Sequence, residues 1–345
     1  MSDLKERPNY IDLAKVIGMF CVVLGHFIYY FHIDFVPNSD MTKVSHFVTL
    51  FHMPFFFVVS GLVSSFRIEN RKSFIYKQFK VLLLPYFLWG GILGLSYAML
   101  EFVKIQNPMI FIRFFIALFS GSDFPGCALG WAGQLWFVYA LFFIKLVVGI
   151  GLTIKKRFLR FALFGAFFAG GGLMLYCQTN PLPFRIDCIF VGFIFVMIGL
   201  RLKKIFLLLC ESKRNSLITF VISVFLLLLF EVFYIDNSIR QGLSINANYF
   251  GIYPVLFVVS GVAGSLMLLS ISRITFVKKD WLGTMSNGLI CYLALHRVLF
   301  EALHGLYSVE SIYGMFATSI LVFALLYPIT LLINKFFPIL LGFRK

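Results

Sequence analysis

The sequence predicts an all-α fold, a polytopic integral membrane bundle of about ten transmembrane helices with both termini in the cytoplasm. Hydrophobic residues make up 60% of the chain and charged residues only 13%, whereas soluble domains carry roughly 25% charged residues. The mean hydropathy is +0.93. Because no long polar segment separates the apolar stretches, we expect residues 1–345 to form a single membrane-embedded domain with no soluble domain.

Ten apolar stretches are long enough to cross a bilayer, since a helix that rises 1.5 Å per residue needs about 20 residues to cross the hydrocarbon. They cover residues 11–33, 46–66, 81–102, 132–153, 159–177, 186–202, 215–235, 252–272, 282–303 and 312–336. The connection over 103–131 holds a further apolar run, "MIFIRFFIALF", which is too short to cross. We expect that run to be re-entrant or interfacial.

Two of these stretches contain similar segments that end in a Ser-Gly pair. The segments are "PFFFVVSG" at 54–61 and "PVLFVVSG" at 254–261. Small residues allow membrane helices to approach closely, so we expect tight helix packing at both places.

The loops between the apolar stretches alternate in charge. Every second loop is basic, as in "RIENRKSFIYKQFK" and "KKRFLR", whereas the loops between them carry few basic residues. Cytoplasmic loops of membrane proteins are enriched in Lys and Arg, so the basic loops and both termini are placed in the cytoplasm. The net charge of +15 then follows from topology. We therefore expect membrane lipids, and no nucleic acid, as partners.

Lys15 and His26 interrupt the otherwise apolar first stretch, "LAKVIGMFCVVLGHF" at 13–27. The two residues are eleven positions apart, which amounts to about three helical turns, so the two side chains share one helix face about 16 Å apart. Asp12, three residues before Lys15, is predicted to pair with it. His26 lies roughly 10 Å below the outer end of the span.

Three histidines on three helices fall at nearly the same depth. His52 in the second stretch and His296 in the ninth each lie about 10 Å from the outer end, as His26 does. Gln134 and Trp136 enter the membrane at a similar level. Because ionisable residues inside a membrane are costly and usually face a cavity or one another, the three histidines form the candidate site.

Each of these residues also has a purely structural interpretation. Membrane histidines make hydrogen bonds between helices, and Lys15 with Asp12 would serve as interface anchors. His32 and His46 lie near the outer surface and are expected to be solvated. No HxxxH pair occurs and acidic residues at that depth are few, so we do not expect a metal site.

Five segments spread over nearly the whole chain share the pattern of one known family. The first contains a Lys15-x10-His26 spacing, which is similar to the basic-x10-His signature of that family. The segments are "YIDLAKVIGMFCVVLGH" at 10–26, "FHMPFFFVVSG" at 51–61, "LLLPY" at 82–86, "LWFVYAL" at 135–141 and "LGTMSNGLICYLALH" at 282–296. On these segments the chain resembles the membrane-bound acyltransferase-3 family of O-acyltransferases, which modify cell-envelope sugars and polysaccharides in bacteria.

The resemblance implies an enzyme that transfers an acyl group, most simply acetyl, from cytoplasmic acyl-CoA to a hydroxyl of an extracytoplasmic glycan or lipid-linked sugar. Acetyl-CoA or another acyl-CoA is then the donor substrate, no metal is implied, and the location is the bacterial cytoplasmic membrane. The alternative is a transporter or flippase of glycan precursors, because a polar cluster in a ten-span bundle also suits a permeation site. A structural or sensory protein would leave the aligned histidines unexplained.

The candidate residues take their roles from this chemistry. An imidazole can deprotonate a hydroxyl or be acylated itself, and cations neutralise the phosphates of CoA. The candidate catalytic residues are His26, His52, His296 and, as an acyl carrier, Tyr139. The candidate donor-binding residues are Asp12, Lys15 and, in the basic loop 67–80, Arg71, Lys77 and Lys80. The candidate acceptor-binding residues are Gln134, Trp136, Arg185 and Arg297.

Overall fold

The structure, a computed structural model, describes residues 9–66, 68–121, 129–178, 180–234, 242–276 and 279–342. Within these ranges the chain forms α-helices joined by turns and short loops, with no extended strand, which confirms the all-α prediction. Arg67, at the start of the basic loop, and residues 122–128 of the connection 103–131 lie outside the described residues.

The helices follow one another along the chain with short connections. The first eight are α1 (Tyr10–Tyr30), α2 (Asp40–Thr49), α3 (His52–Val63), α4 (Arg71–Gln78), α5 (Leu84–Ile105), α6 (Met109–Ser120), α7 (Trp136–Leu152) and α8 (Arg157–Cys177). The others are α9 (Ile186–Arg201), α10 (Lys203–Leu209), α11 (Lys213–Tyr234), α12 (Pro254–Thr275), α13 (Asp280–Asn287), α14 (Leu289–His304) and α15 (Ile312–Phe336). A π-helical segment links α4 to α5 at Phe79–Leu83, and 3₁₀ turns occupy Gly130–Leu135, Pro183–Arg185 and Pro338–Leu341.

Nine helical stretches in the described part of the chain are long and apolar enough to cross a membrane. They correspond to nine of the ten predicted spans. One of them, Arg71–Ile105, is 35 residues long, about 52 Å, which exceeds a hydrocarbon core of about 30 Å. This helix is therefore long enough to cross the hydrocarbon core while its basic first turns lie outside it. Which side of the membrane each loop faces stays a prediction.

The ninth predicted span is interrupted, so the prediction of one continuous helix over 282–303 is wrong. α13 ends at Asn287 and α14 begins at Leu289. α14 has 16 residues, about 24 Å, which is less than the thickness of the hydrocarbon core. The break therefore lies within the length of chain that was expected to cross the bilayer.

Gly288 occupies the break for two physical reasons. Gly is a weak helix former, and its N–H donates to the carbonyls of both Thr284 and Met285, which closes the last turn of α13. In addition, a Cβ at Gly288 would lie only 2.2 Å from Cγ2 of Thr330 on α15. A residue with a side chain would push these two segments apart.

The chain divides into two compact units, and each is described by itself. Unit 1 comprises Met1–Ser64, Phe195–Ser244 and Phe250–Leu331, and unit 2 comprises Ser65–Ile194, Ile245–Tyr249 and Leu332–Lys345. Helices α1–α3 and α10–α14 thus belong to unit 1 and α4–α8 to unit 2, while the boundaries fall within α9 and α15.

In unit 1, α1 is the central helix. It packs against α2, α3, α12, α13 and α14, so its apolar side chains are covered on several faces. Small residues allow the close approaches, since a Cβ at Gly18 would lie 2.5 Å from the ring of Phe55 and one at Gly25 would lie 2.9 Å from Val48. The central position of α1 explains how a helix with two internal ionisable residues can remain inside a membrane protein.

The Ser-Gly segments pack as tightly as expected. α3 and α12 are neighbours, and a Cβ at Gly261 would lie 2.6 Å from Cβ of Pro54. The hydroxyl of Ser260 on α12 also lies 3.4 Å from the carbonyl oxygen of Leu50, to which it can donate. The predicted close packing of these segments is therefore confirmed.

Another close backbone contact in unit 1 joins α3 to the end of α9. A Cβ at Gly61 would lie 2.0 Å from the carbonyl oxygen of Val196, and a Cβ at Gly199 would lie 1.9 Å from the carbonyl oxygen of Val58. Each helix thus presents a glycine to the backbone of the other, as in close membrane helix crossings.

Unit 2 is organised around α5 and α7. α5 packs against α6, the 3₁₀ turn at Gly130–Leu135 and the one at Pro338–Leu341, whereas α7 packs against α4 and α8. Two buried aromatic side chains of α5 donate hydrogen bonds to backbone carbonyls. The Tyr86 hydroxyl donates to Leu118 at 2.7 Å and the Trp89 indole N–H donates to Leu340 at 2.9 Å.

We expect Gly61→Ala to destabilise the protein because the added methyl group meets backbone, which cannot move aside like a flexible side chain. Overpacking of this kind costs about 1–3 kcal/mol. The measurement is the thermal unfolding midpoint of the detergent-purified protein. The matched control is Gly91→Ala on α5, where nothing lies within 4 Å of the added Cβ, so a neutral or slightly stabilising effect is expected. Equal midpoints for the two variants would contradict the backbone contact.

Candidate active site

Three histidine rings meet in unit 1. His26 lies on α1, His52 begins α3 and His296 lies on α14. Nδ1 of His26 is 3.0 Å from Nε2 of His296, and the two rings are nearly parallel with centroids 5.2 Å apart. The ring of His52 stands edge-on to that of His26, with centroids 5.9 Å apart. The depth coincidence in the sequence therefore corresponds to a cluster in space.

The hydrogen bonds of His296 determine where the protons lie in this cluster. Its Nδ1 is 2.9 Å from the carbonyl oxygen of Tyr292, and a carbonyl only accepts, so Nδ1 carries the proton. In the neutral ring Nε2 is then an acceptor, and the hydrogen bond to His26 must be donated by Nδ1 of His26. It follows that Nε2 of a neutral His26 carries a lone pair.

His52 takes its place from the interruption between α2 and α3. The two helices are separated at Leu50 and Phe51, and the Nδ1 of His52 donates to the carbonyl of Val48 at 2.9 Å. This hydrogen bond fixes the ring and, in its neutral form, leaves Nε2 as an acceptor.

The three rings differ in how far they are buried. His296 is 0% and His52 5% exposed, whereas His26 is partly exposed. Tyr30, one turn beyond His26 on α1, borders the cluster, with its ring centroid 5.2 Å from that of His26 and 5.6 Å from that of His296. His26 therefore has the largest exposed fraction of the three histidines.

Arg297 lies beside this cluster. Its guanidinium carbon is 5.0 Å from the centroid of the Tyr30 ring, and its Nε donates to Glu301 at 2.8 Å. Arg297 was predicted as an acceptor-binding residue, a role that stays a prediction. The adjacent ion pair with Glu301 was not anticipated, although the i,i+4 spacing of the two residues is visible in the sequence.

A second polar cluster lies near the beginning of α1. Nζ of Lys15 is 3.1 Å from Oδ1 of Asp12, which confirms the predicted pair. The hydroxyl of Ser286 near the end of α13 donates to the same oxygen. Ser286 was missed because its partner is distant in sequence, and it ties the interrupted helix to α1.

Three of the predicted site residues lie in unit 2, and two of them donate hydrogen bonds to backbone carbonyls there. The hydroxyl of Tyr139 donates to the carbonyl of Phe119 at 3.1 Å. The side chain of Gln134 is buried and donates to the carbonyl of Trp131 at 2.7 Å. Trp136 is buried as well. The hydrogen bonds give Tyr139 and Gln134 a structural role, and the predicted acyl carrier and acceptor-binding roles of all three residues stay predictions.

Arg185, the remaining residue predicted to bind the acceptor, is also enclosed within unit 2. It is 3% exposed and donates to the carbonyl of Gly121 and to both the carbonyl and the side-chain oxygen of Asn246. Arg185 and the preceding Phe184 both have positive φ values, 53° and 57°, which are uncommon for residues other than glycine. The hydrogen bonds of the guanidinium therefore hold a strained turn at the beginning of α9. Asn246 gave no sequence signal of this contact.

The basic residues predicted to bind the donor also belong to unit 2, apart from Lys15. Arg71 is exposed and its Nε donates to the hydroxyl of Thr153 at 2.8 Å. Lys80 lies over the ring of Tyr76, 3.6 Å from its centroid. Lys77 is exposed. Their role in donor binding stays a prediction.

The remaining histidines show one correct and one wrong expectation. His32 is exposed, as expected for a solvated residue. His46 is only 1% exposed, because α2 packs against α1 and a Cβ at Gly242 would lie 2.8 Å from its ring. In the described part of the chain, no group of three His, Cys, Asp or Glu side chains is arranged to hold a metal ion.

The chain matches a family model described as an acyltransferase domain, over residues 9–334. The match begins just before α1 and ends in the last turn of α15, so it includes every described helix that carries a candidate residue. No curated protein and no solved structure gives a match.

We expect Arg185→Lys to lower the thermal unfolding midpoint, because lysine keeps the charge but loses the planar fork that reaches Gly121 and Asn246 at once. Hydrogen bonds to charged groups contribute about 1.5–3 kcal/mol each. The control is Arg113→Lys on α6, where the arginine is exposed. An unchanged midpoint for Arg185→Lys, with loss of acyl transfer alone, would instead support the acceptor-binding role.

Proposed function

The chain belongs to the acyltransferase-3 family and is therefore an acyltransferase. We propose that it moves an acyl group from cytoplasmic acyl-CoA to a hydroxyl of an extracytoplasmic glycan or lipid-linked sugar. Acetyl is the simplest group, and the bacterial cytoplasmic membrane is the proposed location. The observation that supports this proposal is the hydrogen-bonded pair of His26 and His296, which leaves a lone pair on His26, the more exposed residue of the two. No observation favours the alternative of glycan-precursor transport.

Nε2 of His26 is the proposed general base. As the acceptor hydroxyl oxygen attacks the thioester carbonyl, its proton passes to this nitrogen. The new C–O bond forms, the C–S bond breaks, and the CoA thiolate takes up a proton from the imidazolium of His26. The same lone pair would also serve a two-step route in which His26 is acylated first and the acceptor attacks the acyl-imidazole.

His296 is the proposed positioning residue for that base. Its Nε2 accepts the Nδ1 proton of His26 and thereby holds His26 in the tautomer that has a lone pair at Nε2. When His26 becomes positively charged, the same hydrogen bond stabilises the imidazolium. In a serine hydrolase triad an acidic residue orients the catalytic histidine in the same way. Here the neutral imidazole of His296, held by the carbonyl of Tyr292, takes the position of that acidic residue.

The donor is proposed to approach from the end of α1 that carries Asp12 and Lys15. CoA has several phosphate groups, and lysine is a common partner of phosphate. In unit 2, the exposed side chain of Lys77, near the start of the 35-residue helix, is also proposed to contact CoA phosphate, because it lies on the predicted cytoplasmic side. Arg71 and Lys80 belong to the same basic segment and are proposed to contribute to it.

We expect His26→Ala to abolish transfer without unfolding the protein. Interhelical hydrogen bonds in membranes contribute only about 0.6 kcal/mol on average, whereas a general base contributes at least about 100-fold in rate. His26→Asn can keep a hydrogen bond but cannot take up the proton, so it should fail in the same way. The measurement is the transfer of label from radiolabelled acetyl-CoA to an envelope glycan and lipid fraction.

The control for this experiment is Cys21→Ala, since Cys21 lies on the same helix with similar burial but is rotated by about 140° from His26. Folding is checked by size-exclusion chromatography of each variant. Near-normal transfer by a well-folded His26→Asn protein would show that His26 has a structural role only.

Donor binding should weaken in Lys15→Ala and Lys77→Ala. The loss of a charge-assisted hydrogen bond should cost about 1.5–3 kcal/mol for the partly buried Lys15 and less than about 1 kcal/mol for the exposed Lys77. Equilibrium binding of acetyl-CoA is the measurement. Lys104→Ala is the control, because Lys104 is exposed, pairs with Glu101 and lies in a predicted outer loop. Undiminished affinity in both test variants would mean that these lysines serve topology alone.

A further inference from the structure

We infer that unit 1 contains a second sugar-binding subsite, in a cavity beyond the end of α14 and separate from the position where the acyl group is transferred. The inference rests on the proposed function, because it concerns the acceptor. It implies that the acceptor is a chain of several linked sugars, of which one reacts at His26 while another occupies this cavity.

The cavity has a volume of about 350 Å³, which falls in the range of about 300–1,000 Å³ for small-molecule sites. The residues that line it include Tyr307, Ser308, Glu310, Ser311, Ala317 and Thr318. The hydroxyl of Tyr307 lies 2.9 Å from that of Thr318 across the lining. The cavity therefore combines an aromatic ring, several hydroxyl groups and one carboxylate.

This lining suits a neutral sugar ring. Hydroxyl and carboxylate groups supply the donors and acceptors that match the vicinal hydroxyls of a sugar, and the face of Tyr307 can pack against its apolar C–H groups. Among the residues described as lining the cavity, Glu310 is charged and none is Lys or Arg. A phosphate group, and hence the nucleotide end of CoA, would be repelled, so the cavity belongs to the acceptor side.

A polar stripe on α14 connects the histidine cluster to this cavity. Arg297, Glu301 and His304 follow one another at i, i+4 and i+7 and lie within an arc of about 60° on a mostly apolar helix. The pair of Arg297 with Glu301 is 2.8 Å long. Because ionisable residues in membrane helices face a cavity or a polar path, this side of α14 supplies a polar route for a sugar chain.

Aromatic rings link one end of the polar stripe to the histidine cluster and the other end to the cavity. At the inner end, Tyr30 contacts both His296 and Arg297. At the other end, the ring of Phe31 lies 5.4 Å from that of His304 and 5.5 Å from that of Tyr307, and Tyr307 lines the cavity. From Arg297 to His304 the helix rises about 10 Å, which a single sugar ring cannot span.

The test uses Ala317→Cys in the full-length, purified protein from which the native cysteines have been removed. Ala317 is exposed and lines the cavity, so a membrane-impermeant maleimide should label the new thiol. Maltotetraose and chitotetraose are each added as a neutral oligosaccharide probe, with glycerol at equal osmolality and inorganic phosphate as comparisons. We expect at least one oligosaccharide to slow labelling several-fold and phosphate to have no effect.

Two further variants make the result specific. Val36→Cys places a thiol on a residue that is 57% exposed and does not line the cavity, and its labelling should not respond to sugar. Adding Tyr307→Ala to Ala317→Cys should remove the protection while the labelling rate without sugar stays the same. In the transfer assay, Tyr307→Ala should raise the KM for a polysaccharide acceptor and leave kcat nearly unchanged.

The outcomes separate this inference from the proposed function. Normal acyl transfer together with no protection by either oligosaccharide, or protection by phosphate, would overturn the subsite and leave the acyltransferase proposal intact. Protection by an oligosaccharide that depends on Tyr307, in a protein that transfers no acyl group to glycan, would support the subsite and count against the proposed reaction.

Discussion

The hydrogen bond between His26 and His296 is the interaction on which the candidate site depends. A polar ring in a low-dielectric interior needs a partner, because an unpartnered polar group there costs free energy. The carbonyl of Tyr292 takes the Nδ1 proton of His296, so the proton between the two rings comes from His26. The same hydrogen bonds that satisfy both rings therefore leave a lone pair on His26, the more exposed residue of the two.

α1 brings this pair and a second polar cluster onto one rigid element. Lys15 and His26 are separated by about 16 Å along the helix, with Asp12 and Ser286 near the first and Tyr30 near the second. Five helices of unit 1 surround α1, so both clusters lie among protein side chains. In the proposed function, one end of α1 meets the donor and the other meets the acceptor.

Two interruptions of helical structure place polar groups where a straight helix would not. The break at Leu50 and Phe51 makes His52 the first residue of α3, with its ring bonded one turn back to Val48. The break at Gly288 leaves Ser286 in the last turn of α13, where it reaches α1. Irregular backbone at membrane depth is tolerated only where protein or a cavity covers it, and both breaks lie next to α1, the central helix of unit 1.

The amino-acid sequence by itself determined the class of the protein and nine of the ten predicted spans, as found in the described part of the chain, because the bilayer imposes a length and a composition on each segment that crosses it. It also determined the ion pair of Asp12 with Lys15, because residues at i and i+3 are neighbours on a helix. It also indicated that the three histidines lie at one depth. Only the tertiary structure decided that Nε2 of His26 keeps its lone pair, that Gly288 divides a predicted span, and that Arg185 is held by Asn246. Each of these depends on a partner that lies far away in sequence. Such contacts follow from how helices pack, and hydropathy carries no information about them.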